Sequence, residues 1–440
     1  MATKWADLSE ARRWNRVYLL LYVGYIALGM SLRWNGWLHF DHIWFVDAAR
    51  HVLDGSWRIY EFRATPSIAP PDGLAYSYSP LTAMLMAPFV AVADALKGTP
   101  LAASVGGTDQ LAYRLIVFPL LVADVLAMEQ LRRIVREWRP DVDEAGIFLG
   151  ILPTLLLTSF LLVSAYRDHQ EGLVLLLLLT TLRVTPRRLL LGGVCAGLTL
   201  AAKQTSLLEL LPVGTVLLWQ GRFRLRDALI WGAAAVGVFG AFLLPPFLAD
   251  RDALIYALIT QEQRRILTGQ GLPVWIDAAL ANGLGIRSAE YALWHDRLLR
   301  YSNPALVMIA VALVLAALWW AGRRGRPIGL RDSRLLALVA VGGLLQIVLA
   351  KWVTGHYYQL PLALALLWDI VRRAPLWPAV GLAGTVGFRL VAAGLHLPDG
   401  PLGKDGAIFF LFLWLTLAAL FAAFGREPQS RPATQPVSDA

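Results

Sequence analysis

Residues 303–321 read NPALVMIAVALVLAALWWA, a stretch without a single charged side chain. A bilayer core of about 30 Å requires about 20 such residues in a helix. Comparable runs recur along the 440-residue chain, of which 57% is hydrophobic and only 16% charged. A soluble protein of this composition could not cover its surface with polar groups. The sequence therefore predicts an all-α fold, a polytopic bundle of transmembrane helices.

The loops between the apolar runs predict how the chain is threaded. Many are short and rich in arginine, and such loops stay on the cytoplasmic side. This alternation gives about twelve crossings with both termini in the cytoplasm. The predicted crossings lie near residues 17–32, 112–131, 146–165, 172–184, 189–203, 206–220, 228–247, 303–321, 335–350, 358–371, 376–395 and 406–424. The net charge of +9 then reflects membrane orientation, and we expect no nucleic-acid partner.

The first predicted outer loop, residues 33–111, contains FDHIWFVDAARHVLDGSWRIYEF at 40–62. This segment predicts an amphipathic helix lying along the membrane, preceded by Asp41 and ended by Gly55. Its apolar face carries Phe45, Ala48, Ala49, Val52 and Leu53, and its charged face Asp47, Arg50, His51 and Asp54. Residues 80–96 could also cross, but this would place the basic loop 132–139 outside. We therefore predict an interfacial or re-entrant helix there.

The remaining organisation follows from this threading. Residues 1–424 form one transmembrane domain, with a second long outer loop at 248–302. The tail, residues 425–440, is rich in Pro, Ser and Gln, which predicts a disordered cytoplasmic segment. The single cysteine, Cys195, excludes an intramolecular disulfide.

A carboxylate at the membrane surface could accept a proton from a hydroxyl group. One such base suffices for an inverting sugar transfer from a phosphate leaving group. Asp41 is the candidate, and its alternative role is an N-cap. Asp47 is a possible second acid, or a residue of a solvated helix face.

Asp41, Phe45, the Ala48–Ala49 pair, Gly55 and Tyr60 resemble the first-loop signature of the GT-C glycosyltransferases. These are integral-membrane enzymes that use polyprenyl-phosphate sugars. Further similar segments are Tyr78–Ser79–Pro80–Leu81, Arg114 with Asp124, residues 165–173 with Glu171, residues 192–212 with Lys203, and residues 351–361. They resemble bacterial mannosyltransferases that use polyprenyl-phosphate mannose and the branch of the first mannosyltransferase of GPI-anchor assembly.

The resemblance implies a GT-C fold and an inverting transfer on the outer face of a bacterial plasma membrane, with Asp41 as the general base. We expect mannose as the sugar, a polyprenyl-phosphate donor and a lipid or glycan acceptor. No cofactor or metal is expected, because the sequence has no Walker loop, Rossmann glycine pattern or metal-ligand spacing.

Polar residues in the other outer segments complete the predicted site. Ionisable groups between membrane helices are costly unless they are wet, paired or functional. Asp168 and Glu171 could orient sugar hydroxyls, or pair with Arg167. We predict that the donor phosphate is bound by Lys203, Arg264, Arg265, Lys351 and His356. We predict that the acceptor or lipid is contacted by Tyr78, Tyr357 and Tyr358. The alternatives are a snorkelling lysine, a solvated loop and interfacial aromatic residues.

Asp124 lies within an apolar run, where we expect it to face the bundle in a structural role. A second function is compatible with the sequence, namely a transporter or flippase of a lipid-linked or amphiphilic substrate. Its signature would be an internal repeat with interrupted helices at matching positions. We find no convincing repeat, and the large first loop favours the enzyme.

Overall fold

A computed structural model describes residues 2–36, 41–60, 79–157, 164–165, 170–219, 225–260, 271–324, 326–350, 359–372 and 404–424. For Asp41 it describes the backbone alone. Every regular element within these ranges is helical. The predicted all-α class is confirmed for this part of the chain, while crossing 376–395 and the tail lie outside it.

We number the α-helices in chain order. They are α1 (Ala2–Trp34), α2 (Asp41–Leu53), α3 (Pro80–Ala95), α4 (Pro100–Ser104), α5 (Thr108–Leu115), α6 (Val117–Trp138), α7 (Glu144–Leu157), α8 (Glu171–Val184), α9 (Leu189–Ala202), α10 (Leu207–Leu218), α11 (Leu225–Ala249), α12 (Arg251–Ile255), α13 (Leu272–Leu284), α14 (Ala289–Arg323), α15 (Ser333–Leu349), α16 (Gln359–Arg372) and α17 (Lys404–Phe424). A 3₁₀ turn, Gln204–Ser206, precedes α10, and a π-helical turn, Tyr256–Thr260, follows α12.

Four helical stretches are long and apolar enough to cross a membrane. They are Glu10–Trp34, Thr108–Trp138, Leu225–Ala249 and Ala289–Arg323. Several shorter apolar helices pack among them, including α9, α10 and α15. By length and composition, this architecture suits a membrane protein. The count of about twelve crossings stays a prediction.

One large apolar cluster joins the long and short helices, with α15 and α16 almost completely buried at its centre. Small residues allow the closest helix contacts. Gly193 and Gly197 lie one turn apart on α9 and face the α11 backbone at Trp231 and Ala235 so closely that a Cβ would not fit. Such small-residue faces let helices in lipid gain packing energy and approach at backbone distance.

A second apolar cluster contains α2, α3 and α5. Phe45 and Ala49 of α2 are completely buried in it, which confirms the predicted apolar face. Protein, and not lipid alone, therefore covers this face. Leu53, in the last turn of the helix, is 45% exposed, so the described residues do not cover this end of the face. Gly55 adopts φ +67° directly after the helix, as its predicted role as a terminator requires.

The arginine-rich segments meet at one end of the bundle, which we call the basic end. Arg183 pairs with Glu137 at 2.7 Å, and Arg139 donates to the Val371 carbonyl. Arg372 in turn reaches the Ser333 hydroxyl at 3.4 Å. Loops that are far apart in sequence thus share one side, as the charge pattern predicted.

Candidate functional site

An ion pair inside the bundle joins Glu171 and Lys203. The Lys203 ammonium donates to Glu171 Oε1 at 2.6 Å. The Glu171 side chain is 3% exposed and that of Lys203 16%. Two of the predicted site residues, 32 positions apart, are thus brought together.

The ends of three short helices create this position. Helix α8 begins at Glu171, α9 ends one residue before Lys203, and α10 begins after the following 3₁₀ turn. Both α8 and α9 contain 14 residues, or about 21 Å of helix, against about 30 Å of bilayer core. Lys203 itself is extended, with φ −157° and ψ 112°. The chain therefore leaves the helix at Lys203 after a segment that is shorter than the bilayer core.

Asp124 lies immediately behind the ion pair. It is completely buried on α6, accepts a hydrogen bond from the Tyr25 hydroxyl at 2.7 Å, and has Ser164 beside it. A Cβ on Gly172 would collide with its carboxylate, so the start of α8 depends on a glycine. Asp124 thus faces the bundle, as expected, and its partner is a tyrosine of α1.

Arg33 connects this region to α2. Its fully buried guanidinium donates to the Tyr113 carbonyl at 2.6 and 2.9 Å and to the Ala165 carbonyl at 3.4 Å. The Tyr113 ring contacts the His42 ring, with 4.1 Å between centroids. Because His42 follows Asp41, this chain of contacts places the start of α2 on the same side of the bundle as Ala165.

Glu209 is the last member of this group. It is 1% exposed on α10, near Lys203 and facing Gly343 of α15. Within the described residues, its Oε2 atom has no hydrogen-bond partner. We call Tyr25, Arg33, Asp124, Glu171, Lys203 and Glu209 the polar cluster.

The sequence reasoning missed Arg33 and Glu209. Arg33 is an isolated cation at the end of an apolar run, away from the arginine-rich loops. Glu209 is a lone acid within LLELLP. Both carried a usable signal, because an ionisable residue within a membrane segment is by default a functional candidate.

The other predicted site residues have different outcomes. Asp47 is half-buried on α2 and lies near Tyr113. The described partner of Glu171 is Lys203, and a contact with Arg167 would involve undescribed residues. Outside the described residues lie Tyr78, Asp168, Arg264, Arg265, Lys351, His356, Tyr357 and Tyr358 and the Asp41 side chain.

Two groups in the α2 region have shifted pKa values. The hydrogen bond from Arg50 to Asp94, at 2.9 Å, raises the pKa of the guanidinium, and a second carboxylate at Asp109 adds to this. Burial raises the pKa of the Tyr60 phenol. Arg50 thus remains charged and ties α2 to α3 and α5, while Tyr60 packs as a neutral side chain.

No group of three or more His, Cys, Asp or Glu side chains suited to a metal ion occurs among the described residues. A reaction without metal stays a prediction. The chain matches no protein-family model, and no curated protein is significantly similar to it. The fold and the polar cluster are therefore the basis for a functional proposal.

Proposed function

We propose that this protein is an inverting glycosyltransferase of the GT-C type. It moves a hexose, in our proposal mannose, from a polyprenyl-phosphate donor to a lipid or glycan acceptor. The proposed location is a bacterial plasma membrane, with the site on its outer face. The observation that supports this best is the Lys203–Glu171 pair, held where short helices end inside an apolar bundle.

Three features make the pair suitable for such a donor. A polyprenyl chain can remain in the apolar surroundings of the bundle while its phosphate meets a cation at membrane depth. The Lys203 ammonium is a donor of the kind that forms charge-assisted hydrogen bonds with phosphate oxygens. Glu171, fixed by the same contact, can accept hydrogen bonds from sugar hydroxyls.

The proposed reaction is a single displacement. The acceptor oxygen bonds to the anomeric carbon as the bond from that carbon to the phosphate oxygen breaks. The hydroxyl proton passes to Asp41, and polyprenyl phosphate leaves with the electron pair. Asp41 is proposed from the resemblance. The contact of its neighbour His42 with Tyr113, whose carbonyl accepts from Arg33, supports this proposal.

The test is transfer by purified protein. Labelled polyprenyl-phosphate sugars are supplied with a native lipid extract, and products are identified by mass. We expect Asp41→Asn to abolish transfer without affecting folding, and Asp54→Asn, the same change at the other end of α2, to retain it. Near-normal transfer by Asp41→Asn would exclude the mechanism. Translocation of substrate across vesicles without a new glycosidic bond would favour the transporter.

A further inference from the structure

The last turns of α14 expose two parallel rows of side chains. Leu315, Trp319 and Arg323 form one row, spaced by four residues and therefore stacked on one face of the helix. Trp320 and Arg324 form the adjacent row. The Arg323 guanidinium lies 4.2 Å from the Trp319 ring centroid, and that of Arg324 lies 4.3 Å from Trp320. Both arginines are exposed.

A third indole lies beside these rows. Trp219, which follows α10, is 48% exposed and lies next to Gly322, with its Nε1 atom 3.6 Å from the position of a Cβ there. Trp319 is 50% exposed and Trp320 39%. We call Trp219, Trp319, Trp320, Arg323 and Arg324 the Trp–Arg patch.

The patch lies at the basic end, because Arg334 at the start of α15 reaches the Arg326 carbonyl at 3.2 Å. Its arginines differ from several others there. Seven described arginines at this end pair with carboxylates, namely Arg132, Arg133, Arg136, Arg139, Arg183, Arg187 and Arg334. Within the described residues, Arg323 and Arg324 have no carboxylate within ion-pair distance. Their described partners are the indole rings of Trp319 and Trp320.

We propose that the Trp–Arg patch binds the phosphodiester headgroup of an anionic membrane phospholipid. A guanidinium stacked on an indole keeps its edge N–H groups free, and these match phosphate oxygens. The indoles lie in the last turns of a helix long and apolar enough to cross a membrane, and tryptophan is enriched at membrane interfaces. Below them, exposed Leu315 supplies apolar surface for an acyl chain. The order from Leu315 through Trp319 to Arg323 follows the polarity of a lipid from chain to headgroup.

This inference requires only the membrane placement that the four long helices support. It does not depend on the proposed glycosyl transfer. A soluble phosphate compound would satisfy the arginines but leave the indoles and Leu315 without an apolar ligand, so the proposal is for a lipid.

The test measures lipid binding to the full-length protein by native mass spectrometry. Phosphatidylglycerol and phosphatidylcholine with identical acyl chains are compared. Each basic side chain near an anionic membrane surface contributes about 1 kcal/mol of binding free energy. Two of them together therefore change the affinity about tenfold or more. We expect the unchanged protein to bind phosphatidylglycerol about tenfold or more tightly than phosphatidylcholine. We expect R323Q/R324Q to lose this preference.

The control is R297Q/R300Q, which removes two charges from the other end of the same helix. There, Arg297 also lies over an indole, 4.8 Å from Trp294. We expect this variant to keep the preference. The proposal would be overturned if the unchanged protein bound the two lipids equally, or if R323Q/R324Q kept the preference. It would also be overturned if both variants lost the preference equally, or if an equal concentration of glycerol 3-phosphate displaced the lipid.

Discussion

Removing one partner of the Lys203–Glu171 pair should cost more than removing both. Glu171 is 3% exposed, so its carboxylate cannot reach water when the ammonium is lost. Loss of one partner from a buried pair costs about 3–5 kcal/mol, and we expect Lys203→Met to fall in this range. In Glu171→Leu, the remaining lysine is 16% exposed and can extend toward water, so a cost of about 1–3 kcal/mol is expected.

The double variant Lys203→Met with Glu171→Leu should recover most of this loss, because an ion pair replaced by apolar residues of similar size is often neutral. The expected coupling between the two sites is at least about 2 kcal/mol. The assay heats the protein in detergent and measures the fraction that remains monodisperse at each temperature. We expect Lys203→Met to unfold at the lowest temperature, Glu171→Leu next, and the double variant near the unchanged protein.

The matched control is Lys97→Met, which removes an exposed lysine between α3 and α4 and should leave the unfolding temperature unchanged. Additive losses in the double variant, or a stable Lys203→Met, would refute the account of Lys203 and Glu171 as a coupled buried pair. The double variant also separates stability from function. If it remains folded, the proposed function predicts that it binds the donor more weakly, because the phosphate loses the hydrogen bond from Lys203.

Three further changes test the surroundings of this pair, each by the same thermal assay. Gly172→Ala should destabilise by about 1–3 kcal/mol, because the new methyl group collides with Asp124, whereas Gly237→Ala has nothing within 4 Å and should be neutral or slightly stabilising. Tyr25→Phe removes the hydroxyl donor to a buried carboxylate and should cost about 1–3 kcal/mol; an unchanged stability would show that this bond contributes nothing. Arg33→Gln leaves buried carbonyls without a charged donor and should cost at least about 2 kcal/mol, and wild-type behaviour would contradict its bridging role.

The sequence was sufficient for the features that depend on local periodicity. The start of α2 at Asp41, its end before Gly55 and the burial of Phe45 follow from apolar spacing and the properties of glycine. The helical wheel placed Leu53 on the same apolar face as Phe45, but it could not show how far other helices cover that face. The neighbouring cluster leaves the last turn exposed, and only the packed structure determines that.

The ion pair could not be predicted from spacing. Both Glu171 and Lys203 were recognisable as ionisable residues beside apolar runs, but their contact depends on how α8 packs against α9. The same holds for the contact between Asp124 and Tyr25, which are 99 positions apart. Sequence patterns thus identified which residues needed partners. Tertiary packing determined the partners.

The charge balance of the polar cluster restricts how a donor phosphate could be held. Asp124, Glu171 and Glu209 are three nearly inaccessible carboxyl groups, whereas the cations are Lys203 and Arg33. Glu171 already neutralises Lys203, so a phosphate that met this pair alone would gain a hydrogen bond but no net positive charge. Under the proposed function, its charge must therefore be balanced by the predicted cations of the undescribed outer segments, Arg264, Arg265 and Lys351. Lys203 then fixes the position of the phosphate, and those residues supply the electrostatic attraction.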